Sequence, residues 1–448
     1  MKSNHKNLQN RERGIKNKNI NLQYAIMKEI NSSEFEKEVL QSDKVILDFY
    51  STECPPCEAL ASKFEDLSHL YGNDVKFMKI FRQGNRELAE KLGVKSSPTL
   101  LFYSKGKEVA SRLTGGIKRS EIIRNLDSML PSERVNEILS GIKPSVSEFD
   151  VLILGAGPGG LTAGLYLCQS KINTVLIDIA LPGGHVSTTH EVSNYPGFIE
   201  PQAGYMLSHS MSEQTKLCGT IYKVAVDVTR VDLAKKEVVI DEYETVKAKR
   251  IIIATGTTPN LTGATGEKEL KGKGISYCAT CDAKYFDDKE VIVIGGGNSA
   301  VEESEYITRF VNKLTIVHQF DKLTANKQAQ DKIFNNSKIK IIFDNEPRAF
   351  TKDGDKIVTE IENVKTKDRQ KLVSDGVFIF IGMKPNIDLF KDKLDLDQWG
   401  YIKTDEDMRT SIQGVYAVGD VISKKYRQIT TAVADGTIAA MAIAKELD

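Results

Sequence analysis

Two pairs of cysteines at C-x-x-C spacing, Cys54/Cys57 and Cys278/Cys281, are the residues of this chain best suited to chemistry. Two thiols so placed can cycle between dithiol and disulfide, or can ligate a metal. A zinc site built from both pairs is disfavoured: they lie more than 200 residues apart with no histidine adjacent to either. No metal is therefore expected, and thiol redox chemistry is. Cys54 follows a β-branched run and precedes a helical pattern, so it falls near a helix N-cap, where free N–H groups and the macrodipole favour a thiolate. That makes Cys54 the expected nucleophile and Cys57 the resolving thiol. Pro55 is tolerated in a first helical turn, whose N–H groups lack intrahelical partners. Asp48, six residues upstream on the strand, is a candidate proton acceptor for Cys57, and Pro98 of Ser97-Pro98-Thr99 a candidate cis proline facing the disulfide. Asp282, next to the second pair, is a candidate acid for a departing thiolate. Cys168 and Cys218 stand alone and read as packing residues.

These thiols need elements to hold them and a source of electrons. Lys44–Tyr50 reads as a buried strand, Cys57–Leu70 has helical spacing, Val75–Phe81 and Thr99–Tyr103 read as strands, and Ser120–Leu130 as a closing amphipathic helix. Residues 131–148 are polar, with proline at 131 and 144, and read as a linker containing one short helical turn. Beyond it, an apolar strand runs into Gly155, Gly157, Pro158 and Gly160, and a helical pattern follows. In such a loop the first glycine makes the turn and the second admits a pyrophosphate. The third packs helix on strand, and the anion rests on the helix N-terminus. Asp178 ends the next strand, placed to accept from a ribose hydroxyl. The unit recurs with Gly295, Gly297, Asn298 and Ala300, followed by strand Lys313–Val317 and then His318 and Gln319. Near the C-terminus, another apolar strand ends in Gly419-Asp420 ahead of a helix, where Asp420 suits a cofactor's sugar chain. The second C-x-x-C pair lies between the two loops, where hydride electrons could become thiol electrons.

Composition agrees with a multidomain protein of this kind. The chain has 448 residues, 40% of them hydrophobic and 27% charged. At roughly 100–200 residues per domain this allows two to four domains. Sixty-one basic residues balance 61 acidic ones, which argues against a nucleic-acid or anionic-membrane binder. No run of 18 apolar residues is present, so no membrane span is expected. Residues 1–22 carry six Lys/Arg, one Glu and six Asn without an apolar signal core, which suggests a disordered basic tail and a cytoplasmic setting.

Residues 149–448 resemble the low-molecular-weight thioredoxin reductases. GAGPGG, ATG, CATCD, GGGNSAVEE, GVYAVGD and YRQ appear in that family's order. Residues 23–130 are similar to thioredoxin in LDFY, CPPC, SPT and the closing helix. The resemblance implies an α/β chain: an N-terminal thioredoxin fold, then two Rossmann-like, three-layer dinucleotide-binding domains with the NAD(P)H domain inserted in the FAD domain. The expected boundaries are 1–22 for the tail, 23–130 for the thioredoxin domain and 131–148 for the linker. The FAD domain takes 149–261 and 381–448, and the NAD(P)H domain 262–380. FAD is implied on the Gly155 loop and at Asp420, with Arg427 and Gln428 near the flavin, and NAD(P)H on the Gly295 loop. Cys281 is implied to lie nearest the flavin while Cys278 exchanges with the protein substrate, and homodimers are usual. The implied electron path runs from NAD(P)H to FAD, to Cys278/Cys281, to Cys54/Cys57 and on to client protein disulfides.

Three motifs depart from the family pattern. Members using NADPH grip its 2′-phosphate with arginines in HRR-x-x-x-R, where this chain has Gln319, Phe320 and Thr324. A phosphate needs cationic partners, so NADH is favoured. The usual Trp-Cys-Gly-Pro-Cys is Glu53-Cys-Pro-Pro-Cys, and the usual Gly-Gly-Gln is Gly183-Gly184-His185. Two other readings compete. One is an NADH-dependent peroxiredoxin reductase resembling the alkyl hydroperoxide reductase flavoprotein, which normally carries two thioredoxin folds in tandem. The other is a flavin-bound redox sensor, against which the complete nicotinamide loop argues.

Overall fold

The computed structural model describes residues 27–447 except 190, 191 and 193, and gives only the backbone at 280 and 281. The basic tail expected at 1–22 lies outside the described residues. The chain divides into two compact units, residues 1–142 and 143–448.

In the first unit, Lys28–Ile30, Lys76–Phe81 and Lys44–Tyr50 pair in parallel, and Thr99–Ser104 joins Lys44–Tyr50 antiparallel. The central strand Lys44–Tyr50 has neighbours on both sides, and Val45, Ile46, Leu47 and Phe49 are fully buried on its two faces. Such two-sided burial explains an apolar run in place of an alternating one. Helix Pro55–Tyr71 packs Leu60, Phe64, Leu67 and Tyr71 into one of those faces. Helix Arg119–Asp127 adds Ile122 and Leu126 to the same core.

Little of the stretch expected as a linker is irregular. Ser132–Ser140 is a helix whose Ile138, 6% exposed, belongs to the same core as Phe64 and Leu126. The next strand already begins at Ser145, where residues 145–149 pair with 244–248. Polar residues dominate the segment, and a single buried isoleucine, Ile138, docks the nine-residue helix.

In the second unit, Ser145–Leu154 lies between Glu244–Ile253 and Thr174–Asp178 in a seven-stranded sheet that also takes in Val415–Ala417. Strands Thr257–Pro259 and Met383–Pro385 form a two-stranded crossing. Between them the chain builds a five-stranded parallel sheet, in the order Ile275–Ser276, Gly376–Ile379, Glu290–Ile294, Lys313–Val317, Ile339–Ile342, together with a three-stranded antiparallel sheet over 345–374. One dinucleotide-binding module is thus inserted in the other. Among the described residues no helix is long and apolar enough to cross a membrane.

Candidate functional site

Cys54 caps helix Pro55–Tyr71 in extended geometry, and its Sγ accepts from Cys57 N–H at 3.3 Å. The two cysteines form a disulfide with their Cα atoms 5.2 Å apart. Cys54 is partly exposed and Cys57 buried, so a partner disulfide can reach the first sulfur and not the second. The Ser97–Pro98 bond is cis, and Ser97 O lies 3.6 Å from Cys54 Sγ. Glu53, in place of the family's tryptophan, holds φ 52.

Asp48 is 3% exposed, and its Oδ1 has no hydrogen-bond partner. Burial pushes its carboxyl up from 3.8 to about 7, with the Lys79 charge opposing. A group poised there can take and return a proton at neutral pH. It also makes stability pH-dependent. Between about pH 4 and 7 the folded chain holds a proton that the unfolded chain has released, so stability falls as pH rises through that window. Asp48→Asn is expected to remove this slope and to stabilise the first unit by up to ~4 kcal/mol above pH 7. Hydrogen exchange of the 44–50 amides across pH checks it; parallel profiles for wild type and variant would contradict it.

The second dithiol opens a short helix, with Cys278 as N-cap of Ala279–Asp282. Cys278 is disulfide-bonded. The side chain of Cys281 lies outside the described residues. Ser276, which sequence reasoning passed over, ties this turn together. Its Oγ donates to Asp282 Oδ2 at 2.5 Å and accepts from Cys278 N–H at 3.1 Å. Tyr277 is anchored through its hydroxyl to buried Glu267 at 2.7 Å, and Thr262 N–H and hydroxyl saturate that carboxylate's other oxygen. Only the spacing of Ser276 and Asp282 around the cysteines could have signalled such a brace.

Around the first glycine loop, a Cβ on Gly155 would stand 2.2 Å from Ala254 O, and one on Gly160 1.9 Å from Gly155 O. Gly157 caps helix Pro158–Gln169 and has nothing within 4 Å of a would-be Cβ, which leaves the helix N-terminus open to an anion. Asp178 accepts from Ala156 N–H at 2.6 Å and Ala180 N–H at 2.8 Å, so it fixes the loop from the adjacent strand end. Asp420 follows strand Val415–Ala417. Its Oδ1 is buried without a hydrogen bond, 3.7 Å from Lys424 Nζ, and burial raises its pKa. An unsatisfied carboxylate oxygen beside an open helix N-terminus fits the ribityl and pyrophosphate parts of FAD.

Arg427, expected beside the flavin, donates from Nε to Asp420 O and from Nη2 to Ile422 O, both at 3.2 Å, with its guanidinium 3.8 Å over the Tyr401 ring. It shapes the Asp420 turn. Gln428 accepts from Asn194 Nδ2 at 3.3 Å. Asp435, which sequence reasoning missed, accepts from Gly419 N–H and Lys424 Nζ and holds the turn from behind. His185, the departure from Gly-Gly-Gln, donates from Nε2 to Thr257 O at 2.5 Å, tying the Gly183–Gly184 turn to the crossing strands.

Around the second loop, Gly297 caps helix Asn298–Ile307, and a Cβ on Gly295 would meet Phe380 O at 2.4 Å and Ala300 Cβ at 3.0 Å. His318 is buried with its ring against Gly296, where a Cβ would stand 2.4 Å from Nδ1, and burial lowers its pKa. Thr324 N–H bonds Gly296 O at 2.9 Å, and Asn298 Oδ1 accepts from Asn326 N–H at 2.7 Å. The segment after strand Lys313–Val317 therefore wraps the loop. Gln319 lines a cleft beside it. Cys168 and Cys218 are free thiols. Cys168 donates to Cys218 O at 2.6 Å, and burial pushes it up to about 11, which keeps it protonated and unreactive.

Known families match both units. Residues 149–436 match the pyridine nucleotide-disulphide oxidoreductase family, and residues 26–128 match thioredoxin. The thioredoxin reductase of Peptoclostridium acidaminophilum is 43% identical over 299 residues, 65% of this chain and 95% of that protein. That of Bacillus subtilis is 40% identical over 297 residues, 66% and 93% of the two chains. The crystal structure of thioredoxin reductase from Streptococcus pyogenes superposes with a TM-score of 0.61 at 39% identity, covering 67% of this chain and 98% of that one. The chain belongs to the pyridine nucleotide-disulphide oxidoreductases, as an FAD-dependent disulfide oxidoreductase of the thioredoxin reductase kind with a thioredoxin domain ahead of it.

Proposed function

We propose that this protein is a thioredoxin-disulfide reductase that carries its own thioredoxin, passing electrons from NADH through FAD to Cys278/Cys281, then to Cys54/Cys57, then to client disulfides. The observation that carries this is the Cys54–Cys57 disulfide, set at a helix N-cap with its first sulfur reachable, in the same chain as a thioredoxin reductase fold. FAD, when bound, supplies the exchange between a hydride and a dithiol.

The chain's own residues do the rest. The Cys278 thiolate attacks Cys54 Sγ; the Cys54–Cys57 bond breaks and Cys57 leaves as a thiolate that takes the proton held by Asp48. Cys281 then attacks Cys278, which closes the Cys278–Cys281 disulfide and frees Cys54. Asp282, oriented by Ser276, exchanges the proton at this dithiol. Cys54 next attacks a client disulfide, and Cys57 resolves the mixed disulfide after giving its proton to Asp48. Covalent fusion raises the local concentration of one dithiol near the other, within a chain or across the homodimer we expect. The setting that fits is a reducing cytoplasm.

NADH is the proposed donor because Gln319, Phe320 and Thr324 offer no cation to a 2′-phosphate. The kcat/KM for NADH is expected to exceed that for NADPH by ~10-fold or more, the scale of one or two missing charge-assisted hydrogen bonds. A tenfold preference for NADPH, on the same ~1.4 kcal/mol scale, would contradict it.

A further inference from the structure

A cleft of about 420 Å³ opens beside the second glycine loop, lined by Gln319, Phe320, Asp321, Asp344, Val364 and Lys365. Three segments build it and are bonded to each other through backbone. Asp344 N–H donates to Phe320 O at 3.1 Å, Asn345 N–H to His318 O at 3.0 Å, and Val364 N–H to Asp344 O at 2.7 Å. Asp344 makes the turn between strands Ile339–Ile342 and Asn345–Asp353 with φ 57, a left-handed position that Asp and Asn tolerate better than most residues. Phe320 is 50% exposed, its ring set edge-on to the buried His318 at 5.2 Å.

The charges of this cleft are two carboxylates against one ammonium. Lys365 Nζ pairs with Asp344 Oδ1 at 2.9 Å. The hydrogen bond to Asp344 comes first in raising the Lys365 pKa, and Asp321 adds to it, so both carboxylates act on the same cation. The one positive charge in the lining is thereby occupied.

In a doubly wound module the pyrophosphate rests on the helix after the glycine loop, and the adenosine ribose lies at the end of the following strand. Here that strand is Lys313–Val317, and its end leads directly into the cleft. A 2′-phosphate entering there would bring close to two negative charges to a surface already negative on balance. A 2′-hydroxyl brings none, and the exposed Phe320 face suits an adenine ring.

We propose that Asp344 and Asp321, with Lys365 held by the first, are specificity-determining residues that exclude a 2′-phosphate from the nicotinamide nucleotide site. Selectivity for NADH then comes from repulsion as well as from the missing arginines. The inference rests on the NADH reading and adds the residues that enforce it.

Calorimetric titration of the flavin-loaded protein with 5′-AMP and with its 2′-phospho derivative tests this without turnover. Wild type is expected to bind 5′-AMP ~10-fold or more tighter. In Asp321→Asn/Asp344→Asn that ratio is expected to fall by ~30-fold through tighter binding of the 2′-phosphate, less so at high salt, because two like charges are gone and Lys365 is released. Lys365→Gln is expected to widen the ratio. If wild type prefers the 2′-phosphate, the NADH reading itself fails. If wild type prefers 5′-AMP and neither variant moves the ratio, that reading stands and the role given to these carboxylates is overturned.

Discussion

Cys54→Ser is expected to abolish NADH-driven reduction of insulin disulfides by the intact chain, lowering the rate by ~10³-fold or more, since the thiolate and not the hydroxyl is the nucleophile. The geometry makes this residue decisive. Its sulfur is the partly exposed one of the pair, held at the helix N-cap and 3.6 Å from Ser97 O, whereas Cys57 is buried. Adding a separate thioredoxin is expected to restore turnover, which a variant damaged in its flavin-binding unit would not allow. Cys57→Ser should behave differently: Cys54 still attacks, nothing resolves the product, and a mixed disulfide with the client accumulates. Full insulin reduction by Cys54→Ser would mean that Cys278/Cys281 reaches clients directly.

Gly160→Ala is expected to strip FAD from the protein and to destabilise the second unit by ~3 kcal/mol or more. The added methyl would stand 1.9 Å from Gly155 O, a backbone atom with no rotamer to retreat to. Either the helix Pro158–Gln169 moves away from its strand or the loop unwinds, and both displace the N–H groups that face the pyrophosphate. Gly157→Ala supplies the contrast. With nothing within 4 Å of its would-be Cβ and φ −75, the fold accepts the methyl, which then occupies the approach of the phosphate. Flavin content per chain and the thermal transition separate the two. Gly157→Ala should lose flavin with the apoprotein fold kept, Gly160→Ala should lose both, and unchanged flavin content in either would place the cofactor elsewhere.

What could be read from the sequence was chemistry written in short spacings. The glycine loops at 155–160 and 295–300 and both C-x-x-C pairs occupy strand-to-helix turns, because glycine at a close approach and cysteine at an N-cap are local requirements. The helix Ser132–Ser140 was legible only as a short turn within a linker, and its docking was not, since its polar face outweighs the single buried Ile138. The braces behind the site were hidden for another reason. His185 meets Thr257 across 72 residues, Asp344 meets Lys365 across a hairpin, and Asp435 sits behind Gly419 from a different element. No pattern within one segment records such contacts. Arg427 adds a contact its motif did not announce: two of its N–H groups donate to the Asp420 turn.

The central claim is that one chain contains both the reductase and its acceptor. Anaerobic assay of the purified protein with NADH and insulin, and no other protein, tests it most directly. The account predicts steady NADH oxidation matched one for one by insulin disulfides opened. Oxidation that waits for an added thioredoxin, or that proceeds only with a peroxiredoxin and peroxide, would contradict it.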